Sequence, residues 1–123
     1  MTADLLSIVV PAHNAADTIG ACVAALLAQD YRGAYEVIVV DDGSRDETAA
    51  EARKAGARVV RLPVNLGIGG AVQTGYRFAY ENGYDIAVQI DGDGQHPPEA
   101  LSEVTKPLID QQADLVIGSR YCK

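Results

Sequence analysis

Asp91 and Asp93 are two carboxylates separated by one glycine, directly after the apolar run Ala87–Ile90. Side chains two residues apart in a strand point to the same face, so both acids would lie on one side of a sheet edge. Two negative charges held that close repel each other unless a positive group lies between them. Magnesium is commonly held by one or two carboxylates together with substrate phosphates, so this pair predicts phosphate-bearing chemistry with a divalent cation.

A second acid pair, Asp41 and Asp42, follows another apolar run and precedes Gly43 and Ser44. A turn glycine and a helix-capping serine explain the last two residues, but they do not explain two adjacent acids. We expect one of them, Asp42, to accept hydrogen bonds from a nucleobase or ribose. Asp41 is expected to brace the loop.

The segment Asn65–Gly70 places three glycines, Gly69 among them, before a predicted helix. Glycines at a helix N-terminus let main-chain N–H groups approach a diphosphate closely. The segment does not match the dinucleotide-binding fingerprint, because Val72 stands where the third glycine is required. Taken alone it is equally compatible with an ordinary loop.

Two further polar residues have two readings each. His13 follows the first predicted strand and is typical of a packing or hydrogen-bonding residue, although a catalytic base is the alternative. Arg120 follows the last predicted strand, where it would either pair with phosphate oxygens or lie on the surface.

Composition excludes several classes of protein. The 123 residues carry a net charge of −7, which argues against a nucleic-acid-binding protein. No apolar run approaches the roughly 20 residues that span a bilayer. The two cysteines show no metal-type spacing, so we expect Cys22 in the core, Cys122 as a free thiol and a reducing cytoplasm.

The elements that position these residues alternate between strands and helices. Apolar stripes predict helices near Ile19, Val72 and Leu101, and Ser44–Glu47 is a candidate capping box for another. Runs rich in Val and Ile are typical of parallel strands covered on both faces. The predicted strands are Leu6–Val10, Glu36–Val40, Arg58–Leu62, Ile86–Ile90 and Leu115–Ile117. This order predicts an α/β fold, a mostly parallel sheet flanked by helices, with the chemistry at the carboxyl ends of the strands.

Four of these segments together resemble the donor-binding half of a family-2 inverting glycosyltransferase with the Rossmann-like GT-A fold. Ser7–Asn14 is similar to that family's opening strand and P-x-Y-N-E turn, and Val39–Ser44 matches its V-D-D-G-S element. Asp91–Asp93 occupies the D-x-D position. The longer patterns Asn65–Ala71 and Asp91–Glu99 resemble the branch that glycosylates polyprenyl or dolichyl phosphates.

The resemblance implies a role for each matching residue. Pro11, Ala12, Asn14 and Asp42 would line the nucleoside pocket, with Asp42 facing the base. The diphosphate of a UDP- or GDP-linked sugar would lie near Gly69 and Arg120. The metal, Mg²⁺ or Mn²⁺, would be held by Asp91, Asp93 and Gln95.

The family also implies what else to expect of the whole protein. Residues 1–123 would form the donor half, and the acceptor half that enzymes of this fold carry is expected to be absent from them. A polyprenyl phosphate acceptor would bring the full-length protein to the periphery of a membrane. The sequence does not predict the sugar, the nucleotide or the oligomeric state.

Three departures from the family pattern bear on the chemistry. His13 and Ala15 replace the usual tyrosine and glutamate, and Ile68 stands where some relatives carry a lysine. No residue is a credible general base, so the catalytic residue is unknown. A phosphate acceptor is already an anion and does not require one.

Two other functions compete with this interpretation. A non-catalytic, transferase-like module that acts through protein contacts is the first. A phosphoacceptor receiver domain is the second. In receiver domains, however, the acid pair follows the first strand and a lysine follows the fifth. Here the pair follows the second predicted strand and Lys106 precedes the fifth.

Overall fold

The computed structural model describes residues 5–90 and 96–119. The chain divides into two compact units, Met1–Phe78 and Ala79–Lys123. The described residues form three strands, four α-helices and one 3₁₀ turn. The elements are β1 (Leu5–Ala12), α1 (Ile19–Leu27), β2 (Ala34–Asp41), α2 (Thr48–Lys54), β3 (Arg58–Arg61), α3 (Gly67–Glu81), a 3₁₀ turn (Pro98–Ala100) and α4 (Leu101–Ile109).

The first unit contains a parallel sheet in the order β1-β2-β3. The centre of β2, Val37–Val40, is almost completely buried because β2 has a hydrogen-bonded strand on each side. Val37 and Val39 pack with Ile19 and Val23 of α1 and with Ala52 of α2. Burying an aliphatic side chain of this size contributes about 1.5–3 kcal/mol, so this cluster anchors both helices to the sheet.

The register places three loops at the same edge of the sheet. Ala12, Asp41 and Arg61 are the last residues of their strands, and they pair across the sheet as Ala12 with Asp41 and Asp41 with Arg61. The loops that follow β1, β2 and β3 therefore begin side by side at the carboxyl edge of the sheet. The prediction that polar loops meet at the carboxyl ends of the strands is confirmed for these three.

Two of the predicted strands were wrong. Residues 86–90 and 115–117 lie in the second unit, and neither run is a strand. Val88, Ile90, Leu115 and Ile117 are all exposed. A strand exists only with a hydrogen-bonded neighbour, and the described residues of this unit contain none, so apolar composition alone was insufficient.

The predicted capping box at Ser44–Glu47 was also wrong. Helix α2 begins at Thr48, and its N-cap residue Glu47 makes no side-chain capping hydrogen bond. Asp46 Oδ1 accepts the Thr48 N–H at 3.0 Å. The Ser44 hydroxyl instead accepts the main-chain N–H of Asn14 at 2.8 Å. The Ser44 hydroxyl, which the local pattern assigned to the helix N-terminus, therefore binds the loop after β1.

The second unit contains the end of α3, the 3₁₀ turn and α4. Pro98 starts the 3₁₀ turn, and Pro107 lies inside α4, which ends two residues later at Ile109. No residue of α4 is buried. Among the described helices, none is both long and apolar enough to cross a bilayer.

Candidate functional site

The two acids at the end of β2 have different surroundings, although both are buried. Asp41 Oδ1 accepts the Ser44 N–H at 3.1 Å, so this carboxylate braces the turn as expected. Its Oδ2 has no hydrogen-bond donor among the described residues, and the nearest cation is the Arg61 Nε at 3.6 Å. Arg61 thus balances a buried charge from the neighbouring strand.

Asp42 holds the loop that follows β3. Its Oδ1 accepts the Leu66 N–H at 2.7 Å, and its own N–H donates to the carbonyl of Ala12 at 2.8 Å. Gly43 makes this approach feasible, since a Cβ there would lie 2.4 Å from the Asn65 nitrogen and its φ is +66°. Asp42 therefore links all three loops, and a carboxylate retains further acceptor sites beyond the one that Leu66 uses.

The smaller of two cavities at this edge has a volume of about 210 Å³ and contains three of the four predicted nucleoside-contacting residues. Its walls combine the Asp42 carboxylate with apolar side chains and main chain. Its lining is Pro11, Ala12, His13, Asp42, Asn65, Gly67, Ile68 and Ala71. A planar ring with N–H groups on one edge suits such a mixture of apolar walls and one carboxylate.

The larger cavity, of about 750 Å³, contains the fourth predicted residue, Asn14. Arg45 and Arg61 also line it, and His13 and Asn65 line both cavities. Sequence reasoning missed Arg45 and Arg61. The contact of Arg61 with Asp41 depends on the register of β2 with β3, which places the last residues of the two strands side by side.

The loops after β1 and β2 are joined by a set of hydrogen bonds that we call the loop clamp. Asn14, Ala15 and Ala16 donate their main-chain N–H groups to Ser44 Oγ, Thr48 Oγ1 and Asp46 Oδ2, at 2.8, 2.8 and 3.2 Å. Arg45 donates its N–H to Asn14 Oδ1 at 2.9 Å. His13 Nδ1 lies 2.8 Å from the Asp42 carbonyl, which can only accept, so Nδ1 carries the proton.

Asp46 is the charged member of the loop clamp. The hydroxyl of Thr48 donates to its Oδ1, and this hydrogen bond is the main cause that holds the pKa of Asp46 below its ordinary value of 3.8. Main-chain N–H groups of Thr48 and Ala16 act in the same direction. The ionised form of Asp46 therefore stabilises the clamp.

Gly69 lies in the first turn of α3 and lines neither cavity. A Cβ at this position would meet no other atom within 4 Å, so protein packing gives no reason for a glycine there. The preceding Gly67 has a φ of +81°, which favours glycine for conformational reasons alone.

The remaining predicted site residues, Asp91, Asp93, Gln95 and Arg120, lie outside the described residues. The argument that Asp91 and Asp93 share one face requires a strand before them, and residues 86–90 do not form one. Within 5–90 and 96–119, no group of three or more His, Cys, Asp or Glu side chains is placed to hold a metal ion. The metal-binding role of Asp91, Asp93 and Gln95 thus remains a prediction.

Comparison with known sequences identifies relatives over nearly the whole chain. The model of glycosyl transferase family 2 matches residues 7–123. The UDP-N-acetylglucosamine–dolichyl-phosphate N-acetylglucosaminyltransferase of Methanococcus voltae is 34% identical over 98% of this chain and 53% of the relative. The undecaprenyl-phosphate mannosyltransferase of Micrococcus luteus is 36% identical over 91% of this chain and 46% of the relative. The chain thus spans about half the length of these relatives.

Solved structures show the same fold. A mannosyltransferase from Pyrobaculum calidifontis in complex with GDP-Man and Mn²⁺ has a TM-score of 0.56 and 28% identity, over 64% of this chain and 25% of that one. Glucosyl-3-phosphoglycerate synthase from Mycobacterium tuberculosis, in complex with Mn²⁺, UDP and glucosyl-3-phosphoglycerate, has a TM-score of 0.53 and 32% identity, over 86% and 39%. With the parallel sheet and the polar loops at its carboxyl edge, these matches show that the chain belongs to glycosyltransferase family 2 and has the GT-A fold.

Proposed function

We propose that this chain is the donor-binding half of a metal-dependent, inverting glycosyltransferase that uses a UDP- or GDP-linked sugar. The acceptor we propose is a polyprenyl phosphate, which would place the whole protein at a membrane surface. Two of the relatives carry dolichyl or undecaprenyl phosphate in their names, and two of the similar structures contain a guanosine or uridine nucleotide with Mn²⁺. These likenesses support the substrate class.

The observation that carries the proposal is the buried carboxylate of Asp42 in the wall of the smaller cavity. Uracil and guanine both present a ring N–H between or beside carbonyl groups, and a carboxylate accepts a hydrogen bond from it. Charge-assisted hydrogen bonds of this kind are the stronger ones. Apolar Pro11, Ala12 and Ile68 would contact the faces or edges of the ring.

The donor set Asp91, Asp93 and Gln95 fits the metal in its chemistry. Two carboxylates and one amide oxygen are hard oxygen ligands, which Mg²⁺ and Mn²⁺ prefer. When bound, the cation would offset the negative charge of the departing nucleoside diphosphate.

The other residues would bind and orient the donor. The open space over Gly69 lets a diphosphate oxygen approach the start of α3, and Arg120 would pair with the same group. An acceptor phosphate is already deprotonated, so attack on the anomeric carbon needs no general base from this chain. Inversion follows from a single in-line displacement.

Isothermal calorimetry tests this function. The chain should bind UDP-glucose or GDP-mannose in the presence of Mn²⁺, and chelation of the metal with EDTA should weaken that binding at least tenfold. Binding that is unchanged by EDTA would favour the competing function, a non-catalytic module with a transferase-like fold. No binding of either sugar nucleotide would contradict the proposal.

A further inference from the structure

Asn14 has three polar groups engaged at once, all with loop residues of the protein. Its N–H donates to Ser44 Oγ, its Oδ1 accepts the Arg45 N–H, and its Nδ2 lies 3.1 Å from His13 Nε2. Its φ is +47°, a left-handed conformation that asparagine adopts more readily than most residues. The side chain is therefore committed to the loop clamp.

The contact with His13 fixes a tautomer. The amide Nδ2 of Asn14 can only donate, so Nε2 of His13 accepts and Nδ1 carries the proton. That proton is donated to the Asp42 carbonyl. Rotating the Asn14 amide by a half-turn would place a donor against the Arg45 N–H, so the Arg45 bond fixes the orientation that His13 requires.

These contacts reach Asp42 from its main-chain side. His13 holds the carbonyl of Asp42, while Asn14 holds Ser44 and Arg45, two and three residues further along. The Asp42 carboxylate in turn accepts the Leu66 N–H. A displacement of the β2–α2 loop would therefore change the direction of the Asp42 carboxylate in the smaller cavity.

We propose that Asn14 is a positioning residue: it orients Asp42 for the nucleotide through the loop clamp and does not contact the nucleotide itself. This rests on the proposed function, and it replaces the direct nucleoside contact that the family resemblance implies for Asn14. The chemical class recognised through it is a nucleoside diphosphate whose base presents a ring N–H, as uracil and guanine do.

The test compares two substitutions of Asn14 in the full chain. Asn14→Gly removes both side-chain bonds and tolerates the positive φ, so loss of the clamp is not confused with backbone strain. Asn14→Asp keeps an acceptor for the Arg45 N–H but replaces the donor to His13 Nε2 by a second acceptor, so it separates the contributions of the two side-chain bonds. Asn82→Gly, in an exposed turn of the second unit, controls for the general effect of the substitution.

The first readout is hydrogen exchange of the Leu66 amide in the protein without nucleotide. The Leu66 N–H donates to Asp42 Oδ1, so its exchange reports on the position of that carboxylate. We expect Asn14→Gly to accelerate its exchange about tenfold, since two hydrogen bonds of ordinary net strength are lost. Asn14→Asp should accelerate it less, because the bond to the Arg45 N–H is kept, and Asn82→Gly should leave it nearly unchanged. Unchanged Leu66 exchange in Asn14→Gly would overturn the inference.

The second readout is the affinity for UDP and GDP in the presence of Mn²⁺. We expect a loss of about tenfold in Asn14→Gly and a smaller loss in Asn14→Asp. Weaker binding with unchanged Leu66 exchange would show direct contact, and faster exchange with unchanged affinity would show a purely structural role, so both overturn the inference. A wild-type chain that binds neither nucleotide would contradict the proposed function, and Leu66 exchange would still decide whether Asn14 positions Asp42.

Discussion

Adjacent acids at the end of β2 illustrate how two identical side chains acquire different tasks. Asp41 points to the side of the sheet where Ser44 and Arg61 lie, and Asp42 points to the side of Leu66. The sequence predicted that Asp41 braces the loop and Asp42 faces the base, and in the structure the two carboxylates accept hydrogen bonds from different loops. It did not predict Arg61, because that contact depends on the register of β2 with β3.

Replacing the Asp42 carboxylate by an amide tests its role at the base. Asp42→Asn keeps an oxygen that accepts the Leu66 N–H but loses the charge, so the loop should survive while the bond to the base weakens. A hydrogen bond to a charged group contributes about 1.5–3 kcal/mol, which corresponds to a loss of about tenfold or more in affinity for UDP or GDP. Calorimetry checks the affinity, and thermal unfolding checks that the fold is retained.

Asp41→Asn serves as the matched comparison for Asp42→Asn. It changes the same group one residue earlier, where the carboxylate accepts the Ser44 N–H and faces Arg61. We expect its main effect on stability. If Asp41→Asn weakened nucleotide binding as much as Asp42→Asn at unchanged stability, the assignment of Asp42 to the base would be wrong.

At the scale of elements, local sequence patterns predicted the strands of the first unit but not the contacts between distant segments. The strands β1, β2 and β3 were predicted within about two residues, because Val and Ile runs with a hydrogen-bonded partner become strands. The runs at 86–90 and 115–117 are also rich in aliphatic residues, but they have no hydrogen-bonded strand beside them among the described residues. The loop clamp was also beyond local patterns, since its bonds join residues about thirty positions apart.

A methyl group at Gly69 tests whether the start of α3 receives a diphosphate. Gly69→Ala and Gly20→Ala both add a Cβ into open space within a helix, so each should raise stability by about 0.5–1 kcal/mol. Only Gly69→Ala should weaken the binding of UDP and GDP, because the first residues of α3 line the smaller cavity and no residue of α1 lines either cavity. Equal nucleotide affinity in the two variants would remove Gly69 from the diphosphate site.

The pH dependence of stability tests the loop clamp through Asp46. Because its pKa is lower in the folded chain, ionised Asp46 stabilises the fold at pH values above its ordinary 3.8, and this contribution is lost as the pH falls through the lower folded value. Asp46→Asn removes the titration. The difference in Tm between the wild type and this variant should be constant from neutral pH down to about 4 and shrink below 3.8. A difference that grew on acidification would contradict the assignment.

The chain consists of two units, and they contain different parts of the proposed site. The first unit contains the sheet, both cavities and the loop clamp. The predicted metal ligands belong to the second unit, in residues outside the described ranges. Sequence motifs therefore identified the family and the fold, whereas the metal site depends on the D-x-D pattern alone.

Removal of one predicted metal ligand tests this part of the account. Asp93→Ala should abolish the Mn²⁺-dependent component of UDP or GDP binding and leave a weak, EDTA-insensitive remainder. Asp30→Ala makes the same change of charge before β2, at the opposite edge of the sheet, and should bind as the wild type does. Similar losses in both variants would indicate a general effect of charge.

The most direct measurement is anomalous diffraction from Mn²⁺ in crystals of the chain grown with the metal and UDP or GDP. The account predicts an anomalous peak within coordination distance of the Asp91 and Asp93 carboxylates and of a diphosphate oxygen. A manganese ion bound elsewhere, with those two side chains directed away from the nucleotide, would contradict it.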